Sequence, residues 1–126
     1  MVTTKWDIVT RAQDRVKDYP STLGSAVVVN YVEDMAQYAQ NATGQSIDLT
    51  NIGSAWHGVL TNGTAAMMLG YMNGVGVSYS AGRLNINKTT ELRGQEIQMK
   101  FLLDMVNADL NAIGRRIEFD KTEPTT

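Results

Sequence analysis

His57 is the single histidine of the chain, and Ser54 stands three residues before it, so on a helix the two would share a face and could be read as base and nucleophile. Acyl transfer by a serine needs more than that pair: a third group to orient the base, and an oxyanion site. Neither has a signature around them. Metal ligation fares no better, because a chain with one histidine, no cysteine and no acid three or four residues from His57 offers no ligand spacing of the usual kinds. Paired carboxylates could do acid–base work, but Glu33 and Asp34 are adjacent on a helix and diverge. Asp14 and Asp18 share a face with Arg15 and Lys17 beside them, which reads as a solvated charged surface. The run Gly70-Tyr71-Met72-Asn73-Gly74-Val75-Gly76 suggests a phosphate cradle, yet such loops follow a strand and open a helix, and the order here is the reverse. No catalytic, cofactor-binding or metal-binding residue is assigned, and the chain reads as a non-enzyme that takes no cofactor.

The elements that would position any site follow from periodicity. Thr4 with Asp7 marks a helix start, and Trp6, Val9, Ala12 and Val16 form the apolar stripe of a helix over Lys5 to Lys17 that ends before Pro20. A second helix over Ser25 to Ala42 carries Val28, Tyr31, Val32, Met35, Tyr38, Ala39 and Ala42, and Gly44 stops it. A third, capped by Asp48, Thr50 or Asn51, carries Ile52, Trp56, Val59, Leu60, Ala66, Met67 and Tyr71 as far as Asn73. Gly53, Gly58, Gly63 and Gly70 weaken it, and Asn62-Gly63 is a candidate break. From Gly74 the period changes to two: Val75, Val77 and Tyr79, then Leu84 and Ile86, with Ser80 to Arg83 as the turn, describe a β-hairpin. A fourth helix over Thr90 to Ile113 carries Met99, Leu102, Leu103, Val106, Leu110 and Ile113. Gly114 is read as its stop, Arg115 to Phe119 as a short alternating strand and Lys121 to Thr126 as a tail. The predicted fold is mainly α: one compact domain over 1–126, a bundle of about four helices with the ribbon 75–88 between the third and fourth and a C-terminal extension over 115–126.

Composition bounds the rest. At 126 residues, 43% of them apolar and 19% charged, the chain has enough apolar surface for one core and too little length for two. A net charge of -2 lacks the bulk attraction to phosphate expected of a nucleic-acid binder. Arg93, Lys100, Arg115 and Arg116 are too spread for a groove-reading helix. The chain opens without a secretion signal and contains no run long enough to span a bilayer, so it reads as soluble, made in the cytoplasm and without a membrane partner.

The order of parts is the most informative feature: helices, a glycine exit from the third, an alternating ribbon, a long helix, then Gly114-Arg115-Arg116-Ile117-Glu118-Phe119. Over roughly Trp6 to Phe119 this order resembles the head–tail connector, or adaptor, proteins of tailed phages and related tailed viruses. The segments that carry the resemblance are Asn73 to Lys88, with Val77-Ser78-Tyr79 at its centre, and Leu110 to Phe119. The abundance of glycine in the third helix departs from a strong helical pattern and leaves the length of that helix open. The resemblance implies a virion protein of the neck: copies form a ring, a dodecamer matching the portal, beneath the portal protein. That ring extends the channel through which DNA passes as cargo and carries the stopper or tail-completion protein. A two-stranded ribbon has open edges, so the expected oligomer and portal contacts are Val77, Tyr79, Arg83, Leu84 and Ile86 on the ribbon and Arg115, Arg116, Ile117 and Phe119 beyond the fourth helix. The rival from another class is a small helical DNA-binding regulator.

Overall fold

The computed structural model describes residues 2–80, 83–88 and 91–122, the last eight of these (115–122) as backbone alone. In chain order it contains α1 (Lys5–Arg15), a single 3-10 turn (Ser21–Leu23), α2 (Ser25–Thr43), α3 (Ser54–Asn73), the strands β1 (Gly76–Ser80) and β2 (Arg83–Asn87), and α4 (Gln95–Thr122). The strands pair antiparallel, Val77 facing Ile86 and Tyr79 facing Leu84. A four-helix bundle with a hairpin between its third and fourth helices is therefore the observed fold, as the periodicity predicts.

The Asp7 carboxylate accepts the Thr4 N–H at 2.8 Å, so α1 starts where the sequence places it. Its buried face is Ile8, Val9, Ala12 and Val16, whereas Trp6 is 50% exposed, with the Lys5 ammonium 5.8 Å from its ring. The expected stripe was thus turned by part of a residue step: a line through Val9 and Ala12 runs back through Ile8 and leaves Trp6 to the side. On α2, Val28, Val29, Val32, Met35, Ala36 and Ala39 are buried, close to expectation, and Gly44 closes the helix in the left-handed conformation at φ 73°.

The central element is α3, which packs against α1, α2, α4 and β1. Trp56, Val59, Leu60, Ala65, Ala66, Met68 and Leu69 are buried, and so are Thr61, Asn62 and Thr64, so the helix has no solvent stripe over that length. It is continuous through Asn62-Gly63, and the reason lies in its neighbours. Arg15 donates a hydrogen bond to the Asn62 side chain from α1, and Gly63 lets α2 approach so closely that any Cβ there would overlap the Met35 thioether. Glycine here serves packing, at a helix-propensity cost of about 1 kcal/mol that the contact offsets. None of the expected caps starts α3; it begins after Gly53, and Asp48 instead folds the preceding loop by accepting the Thr50 N–H at 3.0 Å and hydroxyl at 2.6 Å, bonds that hold its carboxyl below the usual range. At the other end Gly74, at φ 66°, forms a Schellman turn in which Val75 N–H reaches the Gly70 carbonyl at 2.8 Å.

Met99, Leu103, Val106 and Leu110 of α4 are buried against this centre, with Leu102 and Ile113 partly so. Two boundaries of α4 differ from the sequence reading. It starts at Gln95, because Gly94 at φ 54° breaks helical geometry just before it; Thr90 lies outside the described residues. It also runs past Gly114 to Thr122, so the backbone of 115–119 is helical and the expected C-terminal strand is absent. A glycine stop requires a left-handed φ, which Gly114 does not adopt, and Ile113 with Ile117 also satisfies the helical spacing of four. Ser80 and Arg83 of the expected turn pair as strand residues, and Lys121 and Thr122 of the expected tail belong to α4; Ala81, Gly82 and 123–126 lie outside the described residues.

Candidate assembly surface

The hairpin is held to the bundle on one face and at one edge. Because side chains alternate along a strand, Val77 and Tyr79 of β1 and Leu84 and Ile86 of β2 share a face, and that face is turned inward. Leu84 is fully buried, while Val77, Tyr79 and Ile86 are half-buried against the core. Tyr79 stacks on Tyr38 of α2, ring centroids 5.9 Å apart with 25° between the planes. The outward face is polar, formed by Ser78, Ser80, Arg83, Asn85 and Asn87.

The edge contact comes from a residue the sequence did not single out. Asn107, buried on α4, accepts the Leu84 N–H through Oδ1 at 2.9 Å and donates through Nδ2 to the Leu84 carbonyl at 2.9 Å. One side-chain amide thus takes the place of a neighbouring strand. It also fixes the pairing geometry: with both main-chain groups of Leu84 pointing away from β1, the Tyr79–Leu84 and Val77–Ile86 pairs are the non-hydrogen-bonded ones. The outer edge of β2 is therefore occupied at Leu84, near its first residue, and farther along it the Ile86 carbonyl accepts the Lys88 N–H at 3.0 Å. The outer edge of β1 presents the N–H and C=O of Val77 and Tyr79, which have no main-chain partner among the described residues. Asn107→Leu should destabilise the protein by about 2–4 kcal/mol, since two buried main-chain groups lose their partner. A thermal melt within about 0.5 kcal/mol of wild type would show the clamp to be dispensable.

A second tie joins the end of the hairpin to the start of α4. Lys88 donates to both carboxylate oxygens of Glu96, which is only 7% exposed, and the Arg93 N–H approaches Glu96 Oε1 at 3.4 Å. The Lys88 hydrogen bond, ahead of the opposing effect of burial, holds the Glu96 carboxyl below the usual range. A carboxyl whose folded pKa is depressed stabilises the fold above its unfolded value, near 4, and loses that contribution as pH falls through the folded one. The stability difference between wild type and Glu96→Gln should therefore shrink as melts are taken from neutral pH to below about 4. A difference that stays constant with pH would remove Glu96 from the acid response.

Concavities adjoin these elements among the described residues. One of about 320 Å³ lies between β2 and α4, with Arg83, Lys88, Lys100 and Asp104 on its walls. One of about 250 Å³ separates α2 from the exit of α3 and is lined by Tyr31, Tyr38, Met67, Tyr71 and Asp34; burial, then Tyr71 and Asp34, pushes the Tyr31 hydroxyl above its usual range. A shallow third, bounded by Gly58 and Asp109, lies between α3 and α4.

Of the residues expected at an interface, Arg83 is exposed, Leu84 is in the core and cannot serve as a surface contact, and Val77, Tyr79 and Ile86 direct their side chains to the bundle. Arg115, Arg116, Ile117 and Phe119 lie on α4, and their side chains are outside the described residues. What the hairpin offers a partner is main chain and a polar outer face. His57 is a structural link: its Nδ1 lies 3.2 Å from Arg11 Nη1 and its Nε2 lies 3.0 Å from the Ile52 carbonyl, joining α1 to the entry of α3. Among the described residues no three His, Asp or Glu side chains gather as metal ligands, and no helix is long and apolar enough to cross a membrane. Compared with models of known protein families, with curated proteins and with solved structures, the chain matches none.

Proposed function

We propose that the chain is a structural protein of a tailed-virus particle, a head–tail connector (adaptor) whose copies assemble as a ring under the portal. The ring extends the DNA channel and carries the stopper or tail-completion protein, and DNA passes through it as cargo. The observation that carries this reading is the asymmetry of the hairpin: Asn107 occupies both main-chain groups of Leu84 on the outer edge of β2, while β1 keeps an open edge among the described residues, on a ribbon fastened at Leu84 and at Lys88. An open edge held rigidly adds a strand from a neighbour at little ordering cost, and main-chain hydrogen bonds specify geometry without an apolar surface. The order of elements and the Asn73–Lys88 and Leu110–Phe119 segments support the same reading, as does the net charge of -2, since a conduit should not hold phosphates tightly.

Titration of duplex DNA at several salt concentrations separates this reading from a DNA-binding regulator. An adaptor should bind free duplex weakly at all of them. Tight binding that falls steeply with salt would favour the regulator and overturn the adaptor.

A further inference from the structure

Directly opposite its core stripe, α4 carries a second apolar line. Ile97, Phe101 and Met105 are 45%, 63% and 49% exposed, and Ala108 and Ala112 continue the line, also exposed. Steps of four, four, three and four keep these five side chains on one face. Isolated exposed apolar residues are ordinary, but three large ones in line on one helix, running into two alanines, form a seam of the kind along which helices pack.

We propose that this seam docks a second copy of the chain, the two α4 helices lying antiparallel about a twofold axis that passes the seam between Phe101 and Met105. Size and charge both select this occupant. When Ile97 is set opposite Ala108 of the second copy, the large end of each seam meets the small part of the other. Phe101 then lies against Met105 of the second copy, a favourable thioether–aromatic contact. Antiparallel helices meet same flank to same flank, and one flank of this seam carries Lys100 and Asp104, which pair within the chain at 2.8 Å while both remain about half exposed. In the stated register Lys100 comes opposite Asp104 of the second copy, twice by symmetry, and closes a cluster of two cations and two anions. A parallel pair would set that flank against the other one, where Gln98 and Leu102 stand level with it and the match is lost. The seam uses neither β1 nor a portal, so the proposal does not rest on the adaptor reading.

Sedimentation of the full chain over a range of concentrations tests the pairing. A reversible monomer–dimer equilibrium is expected, weakened about tenfold or more by Phe101→Ser, with no fall in melting temperature at concentrations where both proteins are monomeric. Lys100→Asp should weaken it as well, and the exchange Lys100→Asp with Asp104→Lys should restore it. A monomer at every concentration, or association unaffected by Phe101→Ser, would overturn the proposal. The chain has no cysteine of its own, so the register is read directly by disulfide trapping. Ile97→Cys combined with Ala108→Cys should give a covalent dimer on mild oxidation with copper phenanthroline, while neither single variant does. Single variants that trap as well as the pair would exclude the antiparallel register.

Discussion

Gly63→Val should lower stability by about 3 kcal/mol or more, which is a large share of the roughly 5–15 kcal/mol of a typical domain. The first side-chain carbon would already coincide with the Met35 thioether, and Met35 is fully buried, so it has no solvent to retreat into. Relief requires Met35 to be displaced within a filled core or α2 and α3 to separate, and either loses packing. Gly114→Ala provides the opposite sign on the same chemistry. Among the described residues nothing lies within 4 Å of a Cβ there, and φ is not positive, so alanine should stabilise α4 by about 0.5–1 kcal/mol. Chemical denaturation of the two variants checks both. A tolerated Gly63→Val would contradict the close α2–α3 approach, and a destabilising Gly114→Ala would contradict a helix that continues past that residue.

Leu103→Asp should abolish cooperative folding, whereas Phe101→Asp, two residues earlier on the same helix, should melt within about 1 kcal/mol of wild type. Leu103 is 2% exposed and Phe101 63%, so the same carboxylate is either stripped of water without a partner or left in solvent. An unpaired buried charge costs several kcal/mol even after its pKa adjusts. Circular dichroism through a thermal ramp distinguishes the two outcomes. Equal behaviour of the pair would mean that the helical phase of α4 is wrong.

How far the fold was legible depends on whether a signal was local. The stripes of α2 and α4, the left-handed exits at Gly44 and Gly74 and the alternation of the hairpin are local patterns, and each corresponds to an observed element. The surroundings of α3 were not legible, because a helix buried on nearly every side has no polar stripe to set its phase, and a glycine that admits Met35 looks the same in sequence as one that breaks a helix. The C-terminal segment misled for a related reason. Arg115-Arg116-Ile117-Glu118-Phe119 alternates with period two, but Ile113 and Ile117 also fit period four, and continuation of an established helix decides between them. Asn107 was invisible for another reason. On a helix an asparagine reads as surface, and only the hairpin folding back on α4 turns it into a strand-edge clamp. The candidate contacts Val77 and Tyr79 were legible as strand residues, but which face of the strand turns inward was not, and its pleat directs their side chains to the bundle.

The reading of this chain as a ring-forming adaptor is tested most directly by negative-stain imaging of the full chain mixed with candidate portal particles, using wild type and Val77→Pro. Proline at Val77 removes an N–H that points out from the open edge of β1 and leaves the hydrogen bonds between β1 and β2 in place, so the monomer should remain folded. Wild type should decorate the portal with a closed ring of matching symmetry, and Val77→Pro should leave the portal bare. A portal that stays bare with wild-type protein would contradict the adaptor assignment, and a complete ring of Val77→Pro would contradict assembly through the β1 edge.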